Sequence, residues 1–161
     1  MKTYNDFLNL IRSSTGQIVT IIKDFERINN IIINSFKISL SGEYVIKECE
    51  YSVDDILYQI KHIKCKTILF VSSYDTKIDR AIYNTNNYLI IIFLKRVFST
   101  FNQTMLTNDN TCLYVSSVIL LLKNRTVKIM KNRYGSVDDT MDMTIFTRKE
   151  KLLNLDKISK N

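Results

Sequence analysis

The chain contains no proline and no tryptophan, only three glycines, one histidine, and a single alanine, Ala81. These absences exclude whole classes of chemistry. A phosphate-binding loop or a dinucleotide-binding turn needs several glycines at fixed spacing, and Gly16, Gly42 and Gly135 fit neither GxxxxGK nor GxGxxG. A serine-hydrolase elbow, GxSxG, is absent, and His62 is the sole imidazole that could serve as a general base. The three cysteines, Cys49, Cys65 and Cys112, are odd in number and far apart. They support neither a disulfide framework nor a zinc site, and three buried free thiols are expected.

No targeting signal is expected either. "MKTYNDFLNLIRSST" lacks the continuous apolar run of a secretory signal, and Lys2 stands where myristoylation needs glycine. An intracellular protein, cytoplasmic or nuclear, is expected. On that reading the sequons at Asn102 and Asn124 are chance matches. The most apolar stretch, "NNYLIIIFLKRVF" at 86–98, runs uninterrupted only from Tyr88 to Leu94 before Lys95 and Arg96. A spanning helix needs about 20 apolar residues, so no transmembrane segment is expected.

What replaces the missing residues is Ile, Asn, Lys and Tyr. All four have AT-rich codons, while Pro, Ala and Gly have GC-rich ones. The composition therefore reads as that of an AT-rich genome, such as that of a large DNA virus. Apolar residues make up 45% of the 161 positions, enough for one domain spanning 1–161 with its own core. Residues 148–161 are expected to form a basic C-terminal tail or helix. The net charge of +7 favours acidic partners, nucleic acid first among them.

Periodicity supplies the elements. Tyr4, Phe7, Leu8 and Ile11 fall on one helical stripe, with Thr3 as cap and "SSTG" at 13–16 as breaker. A second stripe through Ile18, Ile21, Ile22, Phe25, Ile28, Ile32 and Phe36 predicts a long amphipathic helix over 17–36, a candidate partner surface. "KISLSGEYVIKECEY" at 37–51 reads as a β-hairpin turning at Ser41–Gly42. Ser52 caps a helix carrying Ile56, Leu57, Ile60 and Ile63, with Asp55 at the capping-box position. "TILFVSS" at 67–73 reads as a buried strand, and Asp75 or Thr76 caps a short helix with Ile78 and Ile82. Residues 88–106 read as a strand followed by a helix, with one continuous helix as the alternative. "CLYVSSVILLL" and "TVKIMK" form a hairpin, with a helix over 112–123 as the alternative. "NRYGSVDDTMD" reads as a loop and "MTIFTR" as a further strand. The class is α+β: a single compact domain with amphipathic helices at the N-terminus packed on a small mixed sheet, a mostly α fold being the alternative.

Candidate sites are few. Lys123, Arg125, Lys128, Lys131 and Arg133 fall within eleven residues without an acid, and Tyr134 follows. On a strand such cations line a phosphate backbone while the tyrosine stacks on a base, and Arg148, Lys149 and Lys151 of the tail extend the charge. His62 and Cys65, three apart, lack the surroundings of a nucleophile pair. Asp54, Asp55, Asp75, Asp79, Asp138 and Asp139 would make a metal-dependent nuclease or hydrolase only if they converged in space. No catalytic residue, cofactor or metal site is assigned. The expected function is a small basic, non-catalytic accessory or assembly protein, acting through protein contacts or self-association and a nucleic-acid-binding basic face. Peripheral attachment to anionic lipid through the basic tail is a further alternative.

Overall fold

A computed structural model describes residues 4–23, 28–49, 52–72, 74–85, 88–96, 110–123, 126–135 and 140–142. In chain order these form α1 (Tyr4–Arg12), β1 (Ile18–Lys23), α2 (Ile28–Leu40), β2 (Val45–Cys49), α3 (Val53–His62), β3 (Thr67–Val71), α4 (Thr76–Thr85), β4 (Leu89–Arg96), α5 (Asn110–Val115), β5 (Val118–Lys123), β6 (Thr126–Asn132) and β7 (Thr140–Asp142). The seven strands make one mixed sheet in the order β2-β3-β4-β1-β5-β6-β7. The first five run parallel, and β6 and β7 are antiparallel. The α+β class expected from the sequence is the one these residues adopt.

Alternate residues of each central strand serve opposite faces, as the pleat demands. Val19, Ile21, Ile68, Phe70, Ile90, Ile92, Val118 and Leu120 pack with α1 and α2, through Phe7, Ile11, Ile32 and Phe36. Ile18, Leu69, Leu89, Ile91 and Phe93 pack with α3 and α4, through Ile56, Ile60, Ile78 and Ile82. Leu113 of α5 joins Ile22, Ile119 and Leu121 on that second face. The molecule is thus three layers, with the sheet between two groups of helices. Because both faces of β1, β3, β4 and β5 are covered, these strands read as unbroken apolar runs.

That double burial explains the main correction. The helix expected over 17–36 is instead β1 followed by α2. In a run as rich in Ile as IVTIIK, helical spacing is satisfied by accident. All six residues of β1 are buried, so no solvent face exists to break the pattern. The partner surface expected on that helix goes with it.

The hairpin expected at 37–51 is absent. Lys37–Leu40 closes α2, and the amides of Glu43 and Tyr44 both donate to the Leu40 carbonyl, ending the helix. β2 then pairs in parallel with β3.

Elsewhere the local signals hold. α1 buries Tyr4, Phe7, Leu8 and Ile11. Ser52 caps α3, its hydroxyl accepting from the Asp55 amide at 3.4 Å. Asp75 accepts from the Lys77 amide at 2.9 Å and opens α4. β4 is a strand, as the leading expectation for 88–96 had it, while 97–106 lies outside the described residues. Residues 112–122 divide between α5 and β5, and β5 with β6 makes the expected hairpin. β7 occupies the end of the expected loop, and "MTIFTR" lies outside the described residues.

Candidate nucleic-acid interface

The predicted basic hairpin forms, but its charges separate. β5 and β6 are antiparallel, with Lys123 opposite Thr126 at one end and Val118 opposite Asn132 at the other. Strands of this length span roughly 20 Å. Lys123 therefore stands at the carboxyl end of the parallel strands, while Lys131 and Arg133 stand at the amino end. Arg125 and the tail residues Arg148, Lys149 and Lys151 lie outside the described residues.

A bulge sets the orientation within β6. Ile119 pairs with Lys131 but Leu120 pairs with Ile129, leaving Met130 as the extra residue. Lys128, opposite Leu121, and Lys131, opposite Ile119, therefore share the α5 face although they are three positions apart. Val127 and Ile129 are buried on the other face, as alternation from the sequence requires.

Lys131 and Arg133 converge on the end of α5. The Lys131 Nζ donates to the Tyr114 carbonyl at 2.6 Å and to the Leu113 carbonyl at 3.2 Å. The Arg133 guanidinium donates to the Tyr114 carbonyl at 3.4 Å. The last carbonyls of a helix have no partner within it, and cations there also meet the negative end of the helix dipole. Partial burial, and secondarily the Arg133 charge, hold the Lys131 pKa below the ordinary lysine value.

The same geometry presents an aromatic ring. Tyr114 is 78% exposed, and the Lys131 ammonium lies 5.8 Å from its ring centroid. Tyr134, 46% exposed, follows Arg133 in a turn braced by its amide on Asn132 Oδ1 at 2.8 Å. Two exposed tyrosines thus flank two cations on a short stretch of backbone. Tyr134 was legible in the sequence. Tyr114 was not, because it sits in an apolar run that reads as core. Its one available signal was its place two residues before the polar Ser116–Ser117 break.

The other candidates separate or take structural roles. Asp54 and Asp55 lie in the first turn of α3, Asp75 caps α4, and Asp79 lies in the first turn of α4. Among the described residues no three His, Cys, Asp or Glu side chains lie close enough to share a metal ion. Asp138 and Asp139 are not among them. His62 Nδ1 lies 2.9 Å from the Tyr58 carbonyl, and its ring stacks on Tyr58 at 4.1 Å between centroids. Cys65 is a free thiol, exposed rather than buried as expected, because it falls in the turn between α3 and β3, where its Sγ lies 3.8 Å from Thr67 Oγ1. Among the described residues no helix is long and apolar enough to cross a membrane. No protein-family model matches the chain, and no curated protein matches it significantly.

Proposed function

We propose that this chain is a small non-catalytic accessory protein that binds single-stranded nucleic acid at the corner formed by α5 and the end of β6. The observation that carries the reading is the meeting of Lys131 and Arg133 on the Tyr114 carbonyl beneath an exposed Tyr114 ring. Single strands are held by cations that follow the phosphates and by aromatic rings that accept any base. Here Tyr114 is held on α5, Lys131 on β6 and Arg133 in the turn that follows it, and Lys128 adds charge on the same face of β6. The net charge of +7 supports the same class of partner.

Fluorescence anisotropy with a labelled single-stranded oligonucleotide tests this. Micromolar binding that weakens steeply with salt, and weakens further in Tyr114→Ala and Arg133→Gln, is the expected result. Absence of binding at low salt overturns the reading, as does binding that neither variant changes.

A further inference from the structure

The helices over the second face of the sheet present aromatic rings in a pattern that the opposite layer lacks. Tyr58 on α3, Tyr83 on α4 and Tyr114 on α5 are 61%, 80% and 78% exposed. On the other face every aromatic ring of α1 and α2 is buried, namely Tyr4, Phe7 and Phe36. Tyrosine-rich coding alone would scatter exposed rings over both layers.

The fold sets the three rings in a row. α3 packs on α4, and α4 touches α5, whose Val115 joins the same apolar cluster as Ile78 and Ile82. Each of these helices ends a few residues before the strand it feeds, β3, β4 or β5. Those strands are parallel members of one sheet, so the three carboxyl ends lie along one side of the molecule. Tyr83 and Tyr114 stand in the last turn of their helices, and Tyr58 just before it. Packed helices lie about 8–10 Å apart, which makes the row roughly 20 Å long.

A cation accompanies every ring. Lys61 follows Tyr58 by three positions and Arg80 precedes Tyr83 by three, spacings that make side chains neighbours on a helix surface. Lys131 lies 5.8 Å from the centre of the Tyr114 ring. Lys61 and Arg80 are exposed, and neither is in an ion pair with another described residue. The acids nearest the rings, Asp54, Asp55 and Asp79, sit in the first turns of α3 and α4, toward the other end of the layer. The helix dipole accounts for Lys61, in the last turn of α3, but not for Arg80, in the middle of α4. The His62 imidazole stacks on one side of Tyr58 and enlarges the flat surface there.

Exposed tyrosines also suit protein interfaces. The pairing of each ring with a cation favours a polyanion with unpaired bases, since bases stack on the rings while phosphates follow the charges. A duplex keeps its bases stacked inside and cannot use the rings. We infer that a bound single strand runs from the Tyr114 corner across α4 to α3. Tyr83 and Tyr58 are its further stacking places, and Arg80 and Lys61 its further phosphate contacts. The inference rests on the reading above and adds to it the path and the length of the site.

The test uses the full chain and fluorescence anisotropy with labelled oligothymidylates of about four and about twelve nucleotides. The longer probe should bind about tenfold more tightly or better. Tyr58→Ala and Tyr83→Ala should each weaken the longer probe by about fivefold or more and leave the shorter one nearly unchanged. Lys61→Gln/Arg80→Gln should reduce the slope of log affinity against log salt by about 1.4, the share of two phosphate contacts on a single strand. All four side chains are exposed, so these variants should fold as the parent does. Failure of both probes to bind overturns the reading above and this inference with it. Equal binding of the two probes, or variants that bind the longer probe as the parent does, overturns the path alone and leaves the Tyr114 corner standing. Sedimentation reads the remaining case. Self-association that Tyr58→Ala and Tyr83→Ala abolish, with oligonucleotide binding intact, would make the row a contact between copies and overturn the path.

Discussion

The hydroxyls of Thr20 and Ser116 lie 2.7 Å apart, both fully buried, though 96 positions separate them in the chain. The contact ties the middle of the central strand to the junction between α5 and β5. Beside it, the buried Ser117 donates through its amide to the Ile18 carbonyl at 2.9 Å. The position of α5, and so of the Tyr114 ring, is set by polar bonds inside an otherwise apolar core.

Thr20→Val should therefore cost about 0.5–1.5 kcal/mol, because it removes the buried hydrogen bond between the two hydroxyls. Thr20→Val combined with Ser116→Ala should cost less than the sum of the single changes. Urea unfolding of the three variants gives the coupling. Additive costs would show that the two hydroxyls do not act as a pair.

Gly16 has φ of 78°, in the region that side chains avoid, and its amide donates to the Leu89 carbonyl at 2.8 Å. Gly16→Ala should lower stability by about 1–2 kcal/mol through backbone strain. A thermal scan showing no loss would mean that this turn relaxes freely.

Ile91 is 1% exposed in the centre of β4. Ile91→Val should cost about 0.5–1.5 kcal/mol. Ile91→Asp should abolish cooperative unfolding, because an unpaired carboxylate cannot be solvated there. A folded Ile91→Asp protein would contradict the placement of this strand.

Lys131 predicts a pH effect. Burial, then Arg133, lowers its pKa in the folded state, so on raising the pH the folded protein releases this proton before the unfolded chain does. Between the lowered value and the ordinary lysine value the unfolded state binds more protons, and stability rises with pH there. Relative to Lys131→Gln, the parent protein should gain stability as pH climbs through that window and stay level below it. Denaturant midpoints measured at stepped pH check this. A relative loss would show that the α5 carbonyls favour the ammonium more than burial penalises it.

The Tyr114 ring should contribute to single-strand binding as a stacking surface. Tyr114→Ala should weaken binding by about 1–3 kcal/mol, and Tyr114→Phe by far less. Equal losses in both variants would point to the hydroxyl instead.

How much of this was legible in the sequence depended on solvent. α1, α3 and α4 each keep an exposed face, so their apolar stripes and their caps at Ser52 and Asp75 stand out. β1 keeps none, and a run such as IVTII satisfies strand and helix templates alike. Strand order was not legible at all. Neither β1's neighbours nor the partition of charge between Lys123 and Lys131 can be known before the hairpin is set into the sheet. Tyr134 could be read from its basic surroundings, whereas Tyr114 gains its meaning only from cations that arrive 17 and 19 positions later.

The strand order also sets a timetable. β1 is synthesised well before its two neighbours, β4 and β5, which come about seventy and a hundred positions later. Until then the nascent chain carries an unpaired apolar strand that must avoid its own kind. Setting Ile21 between Leu94 and Leu120 closes long loops, and pairings so distant in sequence slow folding.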